Sequence, residues 1–528
     1  MKLKVTAALV ASLFAWGVAA HDDGDGGGLG AKQLGSVKFQ NSCSPKVQAG
    51  ITRGVAMLHS FWWPAGQNTF QEVAAEDPNC AIAAWGFASI LMYNPFAAVV
   101  PPADVERAQG AIAKGRQMKA SQRDKDFLEA VAAYWDNYAS RTERDRALAR
   151  SKAYEALAAK YPKDDEAQIF NALYLIAIQL PSDQTYEHSL KAAAILEKQF
   201  AKYPSHPGVA HYLIHSYDAP PTAQKGVASA RRYASIAPAA PHALHMPSHI
   251  FTRVGAWADS AATNRRSADV ALKNKEGDDA LHALDYVVYA FLQLGRDGDA
   301  RRTAAEGAAI NPSTGRFVGP YPLAAMPARL AVERGAWREA AQLKPLQSKW
   351  PFTEALTHQA RAIGAARIGD VAAAKADLEQ ITQKRDALRT AKNAFWATEV
   401  EVMRLSAAAW ISLAENNNDE ALRLMREAAD MEDKNEKHPV TPGRILPARE
   451  MLGDMLMEAK RPADALKEYE ASHKREPERF RGLYGAALAA EMAGDPRAAR
   501  RYYQRLVQVA GKGEARAELT LAKTYLSQ

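Results

Sequence analysis

Along most of the chain the apolar positions recur every three to four residues, inside alanine-rich stretches, and no run alternates with the period of two that a half-buried strand requires. The pattern predicts an all-α protein. Its helices run out in Tyr-Pro or acid-Pro and related steps, at Asp77-Pro78, Tyr161-Pro162, Tyr203-Pro204 and Asn311-Pro312. Between them lie turns built on a glycine followed by a small or polar residue, at Gly255, Gly335, Gly369 and Gly494. Near the C-terminus the pattern repeats at an offset of 34 residues: Pro462, Ala465 and Tyr469 become Pro496, Ala499 and Tyr503. A helical hairpin of that length cannot bury its apolar stripe alone, so successive hairpins must stack. The expected architecture is an α-solenoid of antiparallel helix pairs, roughly ten to twelve of them for this length and period.

The residues Leu452-Gly453, Pro462, Ala465, Tyr469 and Pro477 are spaced as in a tetratricopeptide unit, and the resemblance to that family extends from about residue 44 to the end. It implies a superhelix whose first helices line a concave groove. Positions 2, 5, 9, 12 and 13 of each unit would face a protein, peptide or small-molecule ligand there. Residues 37–315 and 316–528 are expected to form an N-terminal and a C-terminal solenoid.

The start of the chain follows different rules. Lys2 and Lys4 precede an apolar run from Val5 to Val18, and Val18-Ala19-Ala20 supplies the small residues of a signal-peptidase site. Residues 1–20 are therefore expected to be a cleaved signal peptide, since the run is shorter than the roughly 20 residues that span a bilayer. Residues 21–36, rich in Gly and Asp, are expected to be a disordered linker. The mature protein would be periplasmic or secreted, with no membrane anchor.

The formal charge of +7 loses two units with Lys2 and Lys4, and no Lys/Arg cluster suggests a nucleic-acid surface. The two cysteines, Cys43 and Cys80, are expected to pair as a disulfide in an oxidising compartment. The chain lacks a Gly-rich phosphate loop, a Gly-x-Ser-x-Gly elbow, a His-Glu-x-x-His helix and a Cys-x-x-Cys pair. Enzyme status stays open on the sequence.

The chemistry concentrates in one segment. Six of the thirteen histidines fall between residues 211 and 282. His211/His215 and His245/His249 are i,i+4 pairs, each on one helix face, and the two pairs lie 34 residues apart. In the tetratricopeptide frame, His211, His215, His242, His245, His249, His282 and Asp285 all take groove-facing positions. These seven are the expected metal ligands. Helices packed 8–10 Å apart bring such side chains together, and N/O ligands suit Zn, Cu, Fe, Ni or Mn. Asp218 and Asp285 are candidates for orienting an imidazole or acting as a base. Pro247 falls inside this stretch, where it kinks or restarts the helix.

Two alternatives stand beside the metal: a metal-free groove for an anionic or peptide ligand, and a structural polar network. Metal capture or delivery without turnover is a further possibility. The phrases His211–Asp218 and Pro241–Phe251 resemble a His-rich branch of exported bacterial tetratricopeptide proteins, a resemblance that brings no activity with it. Trp62, Trp63 and Trp85 would wall one end of the groove or cap the first repeats. His438, in a Pro/Gly loop, would reach back over the groove, whereas His188, His206, His358 and His473 read as solvated.

Overall fold

The computed structural model describes residues 29–96, 100–312 and 315–528. The expected signal peptide and residues 21–28 of the linker lie outside them. The rest of that linker is ordered, contrary to expectation. Ala31–Leu34 form a helical turn that buries Leu34, and the Ser36 N–H donates to the Ser205 carbonyl at 3.0 Å. One apolar side chain and paired backbone groups anchor what composition alone assigns to a tail.

The described residues are all-α, without strands, and consecutive helices pack as antiparallel pairs in a tetratricopeptide-like solenoid. Trp257–Lys273 pairs with Gly277–Gln293, Pro351–Arg367 with Val371–Thr390, and Phe480–Met492 with Pro496–Ala510. The turn glycines do what their spacing suggests. Gly255, Gly335, Gly369 and Gly494 all have φ between 62° and 83°, where a Cβ costs roughly 1–2 kcal/mol. Ala465 and Ala499 are fully buried where helices cross. The Tyr469 ring lies flat against Gly453 and Gly485, where an added Cβ would come within 2.7 and 2.4 Å of it. That close packing explains the repeated small–large pattern.

Two large apolar cores occupy residues 34–251 and 317–522, with smaller clusters around Trp257–Tyr289 and Ala268–Leu330 between them. Among the described residues no helix is long and apolar enough to cross a membrane. Cys43 and Cys80 form a disulfide.

The solenoid also folds back on itself. The loop 433–447 joins Asn418–Glu432 to Ala448–Glu458 and lies across the concave face of the earlier repeats. The Glu436 N–H donates to the Pro181 carbonyl at 2.9 Å, and the Tyr286 hydroxyl donates to the Pro439 carbonyl at 3.1 Å. Arg329, wholly buried, donates to the carbonyls of Gly443 and Arg444. The loop is thus held by backbone and side-chain bonds to the earlier repeats.

Candidate metal centre

Three helices carry the six histidines. Pro207–Tyr217 starts with His206 capping the Val209 N–H and with Pro207 at the first position, where its missing N–H is harmless. It presents His211 and His215 one turn apart. The second helix is broken by Pro247, which has no N–H for the Ala243 carbonyl. Pro241–His245 carries His242 and His245, and Pro247–Arg253 carries His249. Gly277–Gln293 carries His282.

The imidazoles sort into two triads. His211, His215 and His242 form the first, and His245, His249 and His282 the second; within each, one ring nitrogen of every member lies within 4.8 Å of the others. In the first, His211 Nε2 is 3.1 Å from His215 Nε2 and 3.2 Å from His242 Nε2. In the second, His245 Nε2 and His249 Nε2 are 3.0 Å apart. Two nitrogens each about 2.0–2.1 Å from one ion lie roughly 2.9–3.4 Å apart for angles between square and tetrahedral, so these separations match shared coordination. The triads are neighbours: the His215 and His249 ring centres are 5.7 Å apart, and those of His242 and His245 are 5.9 Å apart.

Orienting partners fix the tautomers of three rings. His211 Nδ1 faces the His59 carbonyl at 2.7 Å, an acceptor only, so Nδ1 carries the proton. His245 Nδ1 faces Asn264 Oδ1 at 2.7 Å, and Asn264 is held that way round because its Nδ2 donates to the Ser260 carbonyl. His249 Nδ1 donates to Asp218 Oδ2 at 2.8 Å, while Arg253 Nε donates to Asp218 Oδ1 at 2.9 Å. Neutral His245 and His249 therefore turn two Nε2 lone pairs toward each other at 3.0 Å. That arrangement is repulsive unless a cation lies between them.

A proton is poorly suited to that role. Burial pushes His211, His215, His242, His245 and His282 well below the ordinary value of 6.5, and neighbouring imidazoles push them further. His249 is also lowered by burial, against the opposing pull of Asp218. Asp218 feels a burial penalty that Lys437, Arg253 and His249 outweigh, so it stays ionised well below the usual carboxylate range. A pH prediction follows for the metal-free protein. The unfolded chain takes up protons near pH 6.5 while the folded imidazoles stay neutral, so stability is lost as pH falls below 6.5. Each such imidazole contributes a slope of about 1.4 kcal/mol per pH unit. Urea midpoints measured at pH 7.5, 6.5 and 5.5 should fall between the first two and fall about three times as far between the second and third. Equal midpoints at 6.5 and 5.5 would contradict the buried neutral cluster.

Several expectations need correction. Asp285 joins neither triad: Arg329, from the next repeat, takes its carboxylate in a fully buried ion pair, Nε to Oδ1 at 2.9 Å. Burial raises Asp285 despite that partner. Of the two readings offered for the tryptophans, Trp85 follows the capping one: it is core, stacked on Phe39 with its N–H on the Tyr154 hydroxyl. Trp63 is buried against Phe61, and Trp62 donates to Glu276 at 2.7 Å. His206 and His358 are buried, paired with Glu166 and Asp377 respectively. His59 and His206 share Glu166 in a third buried group; the second His59 nitrogen meets the Tyr212 hydroxyl, and the second His206 nitrogen caps a helix.

Other contributors come from outside the histidine segment. Phe61 stacks on His242, and Phe96 packs against His215 with ring centres 4.2 Å apart. Asn264 and Lys437 carry no motif; Lys437, pushed down by burial to about 8, lies 3.7 Å from Asp218.

No family model matches the sequence, and no curated protein matches it. Similar solved structures include the APC/C hetero-tetramer Cut9–Hcn1, at 12% identity over 90% of this chain and 94% of that one, with a TM-score of 0.29. A human IFIT1 dimer with m7Gppp-AAAA is similar at 11% identity over 86% of this chain and 94% of the other, with a TM-score of 0.33. The solenoid assignment rests on the helix pairing of this chain itself.

Proposed function

We propose that this protein is an exported metalloprotein that holds two transition-metal ions side by side, one in each imidazole triad. The observation that carries this is the facing pair of Nε2 lone pairs on His245 and His249, locked there by Asn264 and Asp218. Six neutral nitrogen ligands without a carboxylate favour Cu or Zn over the oxygen-seeking Mg, Ca and Mn, and differ from the mixed His/carboxylate sets common for non-haem Fe. Three protein ligands per ion leave a fourth position open, as catalytic sites do and closed structural sites do not. A small void of about 60 Å³, lined by His215, His242, His249 and His282, offers that position room for a water-sized ligand. The disulfide supports an oxidising location.

A metal-free peptide scaffold fits less well, because His211, His245, His249 and His282 are buried, His215 and His242 half-buried, and Pro439 and Val440 of the loop 433–447 cover the void beside them. The test is direct. The chain from residue 21, prepared without a His tag and stripped of metal, is titrated with Cu and with Zn, dialysed, and analysed for bound element. Two ions per chain are expected with at least one of these metals. Background content after reconstitution with Zn, Cu, Fe, Ni and Mn would overturn the assignment.

A further inference from the structure

The two triads are supported unequally. In the second, two of the three rings donate from Nδ1 to a fixed acceptor: His245 to Asn264, and His249 to Asp218, whose other oxygen is taken by Arg253. His282 packs on His245 with ring centres 4.2 Å apart, and all three residues are buried. In the first triad only His211 is held in this way, by the His59 carbonyl. His215 and His242 have no hydrogen-bond partner at Nδ1 among the described residues, and both are half-buried. An acceptor at Nδ1 fixes the tautomer that turns Nε2 toward an ion, and a carboxylate there also raises the basicity of the ring. Losing one such partner costs roughly 10–100-fold in affinity. The charges beside the second triad do not reverse the order, because Arg253 and Lys437 are matched by Asp218 and Glu436.

Access differs in the same direction. Of the six imidazoles, only His215 stands in the wall of a cavity of about 460 Å³. Leu180, 47% exposed, stands in the same wall, so this cavity reaches the surface. His249 and His282 of the second triad meet only the void of about 60 Å³ beside Pro439 and Val440, which has room for water-sized ligands. We propose that the two ions are unequal: the second triad retains its ion, whereas the first triad carries an exchangeable ion that an external chelating ligand reaches at His215. This rests on the two-ion assignment above.

The chain from residue 21 is loaded with Zn, or with Cu where Zn is not held, and mixed with an excess of a chromogenic chelator while release is followed in time. Two phases of one ion each are expected, with rates at least about tenfold apart. His245→Ala, which keeps the first triad, should show the fast phase alone, and His211→Ala the slow phase alone. Asn264→Leu removes the acceptor of His245 and should quicken the slow phase at least fivefold. Asp218→Asn, which keeps an acceptor for His249 without its charge, should quicken it too and decides the matter if Asn264→Leu loses helical circular dichroism. Both variants should leave the fast phase within twofold, a selectivity that general loosening of the fold would not produce. One common rate for both ions, or a fast phase that persists in His211→Ala and vanishes in His245→Ala, would overturn the inequality and leave the two-ion assignment standing. A chain that loads no ion would overturn both.

Discussion

His211→Ala should leave the chain with one bound ion instead of two, and His245→Ala should do the same from the other triad. Each residue is the hub of its group. Both close nitrogen–nitrogen approaches in the first triad involve His211. In the second, His245 meets His249 at 3.0 Å and packs on His282 with ring centres 4.2 Å apart. Of the nearby carboxylates, Asp285 is committed to Arg329 and Asp218 to Arg253 and His249, while Asp279 lines the void but belongs to neither triad. Losing a ligand should weaken binding beyond the roughly 10–100-fold typical of losing an orienting partner. Element analysis after dialysis against a chelator reads the result, and the double variant should hold none with its helical content intact. A His211→Ala chain that still carries two ions would remove His211 from the ligand set.

The second large effect is expected on stability. Arg479→Met should cost about 3–5 kcal/mol, the range for breaking a buried ion pair by removing one partner. The Arg479 side chain is fully buried and donates to Glu450 at 2.7 Å, to Glu333 at 2.5 Å and to the Tyr289 hydroxyl at 2.5 Å. One guanidinium thus ties the C-terminal repeats to Gly277–Gln293 and Pro320–Glu333. Burial already pushes Glu450 up to about 7 with Arg479 in place. Without it, two carboxylates would face each other in the interior and would have to take up protons. Denaturant unfolding of the variant beside the parent chain measures the cost; a difference under about 1 kcal/mol would show that the network contributes little.

The solenoid was legible because its information is local. Helical period, turn glycines and the 34-residue offset are all written within single hairpins, and the disulfide pair stands out by compartment and count. The offset also drew attention to the right histidines. It did not divide them into two groups. His242 stands one repeat beyond His211 yet joins the first triad, whereas His245, three residues on in the same segment Pro241–His245, joins the second with His249 from Pro247–Arg253. Asp285 misled as well. Its position faces inward, but a guanidinium from the next repeat reaches it first, and no pattern within one repeat announces that. Asn264, Lys437 and the rings around His215 arrive from distant parts of the chain, as does the loop 433–447. Sequence spacing carries no signal for such long-range placement.

That loop has a kinetic meaning. Pro439 and Val440 close over the void beside the triads, and their segment is pinned at Pro181, Tyr286 and Arg329. On that side an ion or small ligand held by the proposed centre would pass when this segment lifts, and the frequency of such local opening is set by the free energy of undocking it. Residence time at the proposed centre would therefore depend on residues 433–447, far from the imidazoles in sequence, and would be long even where the coordination bonds themselves were labile.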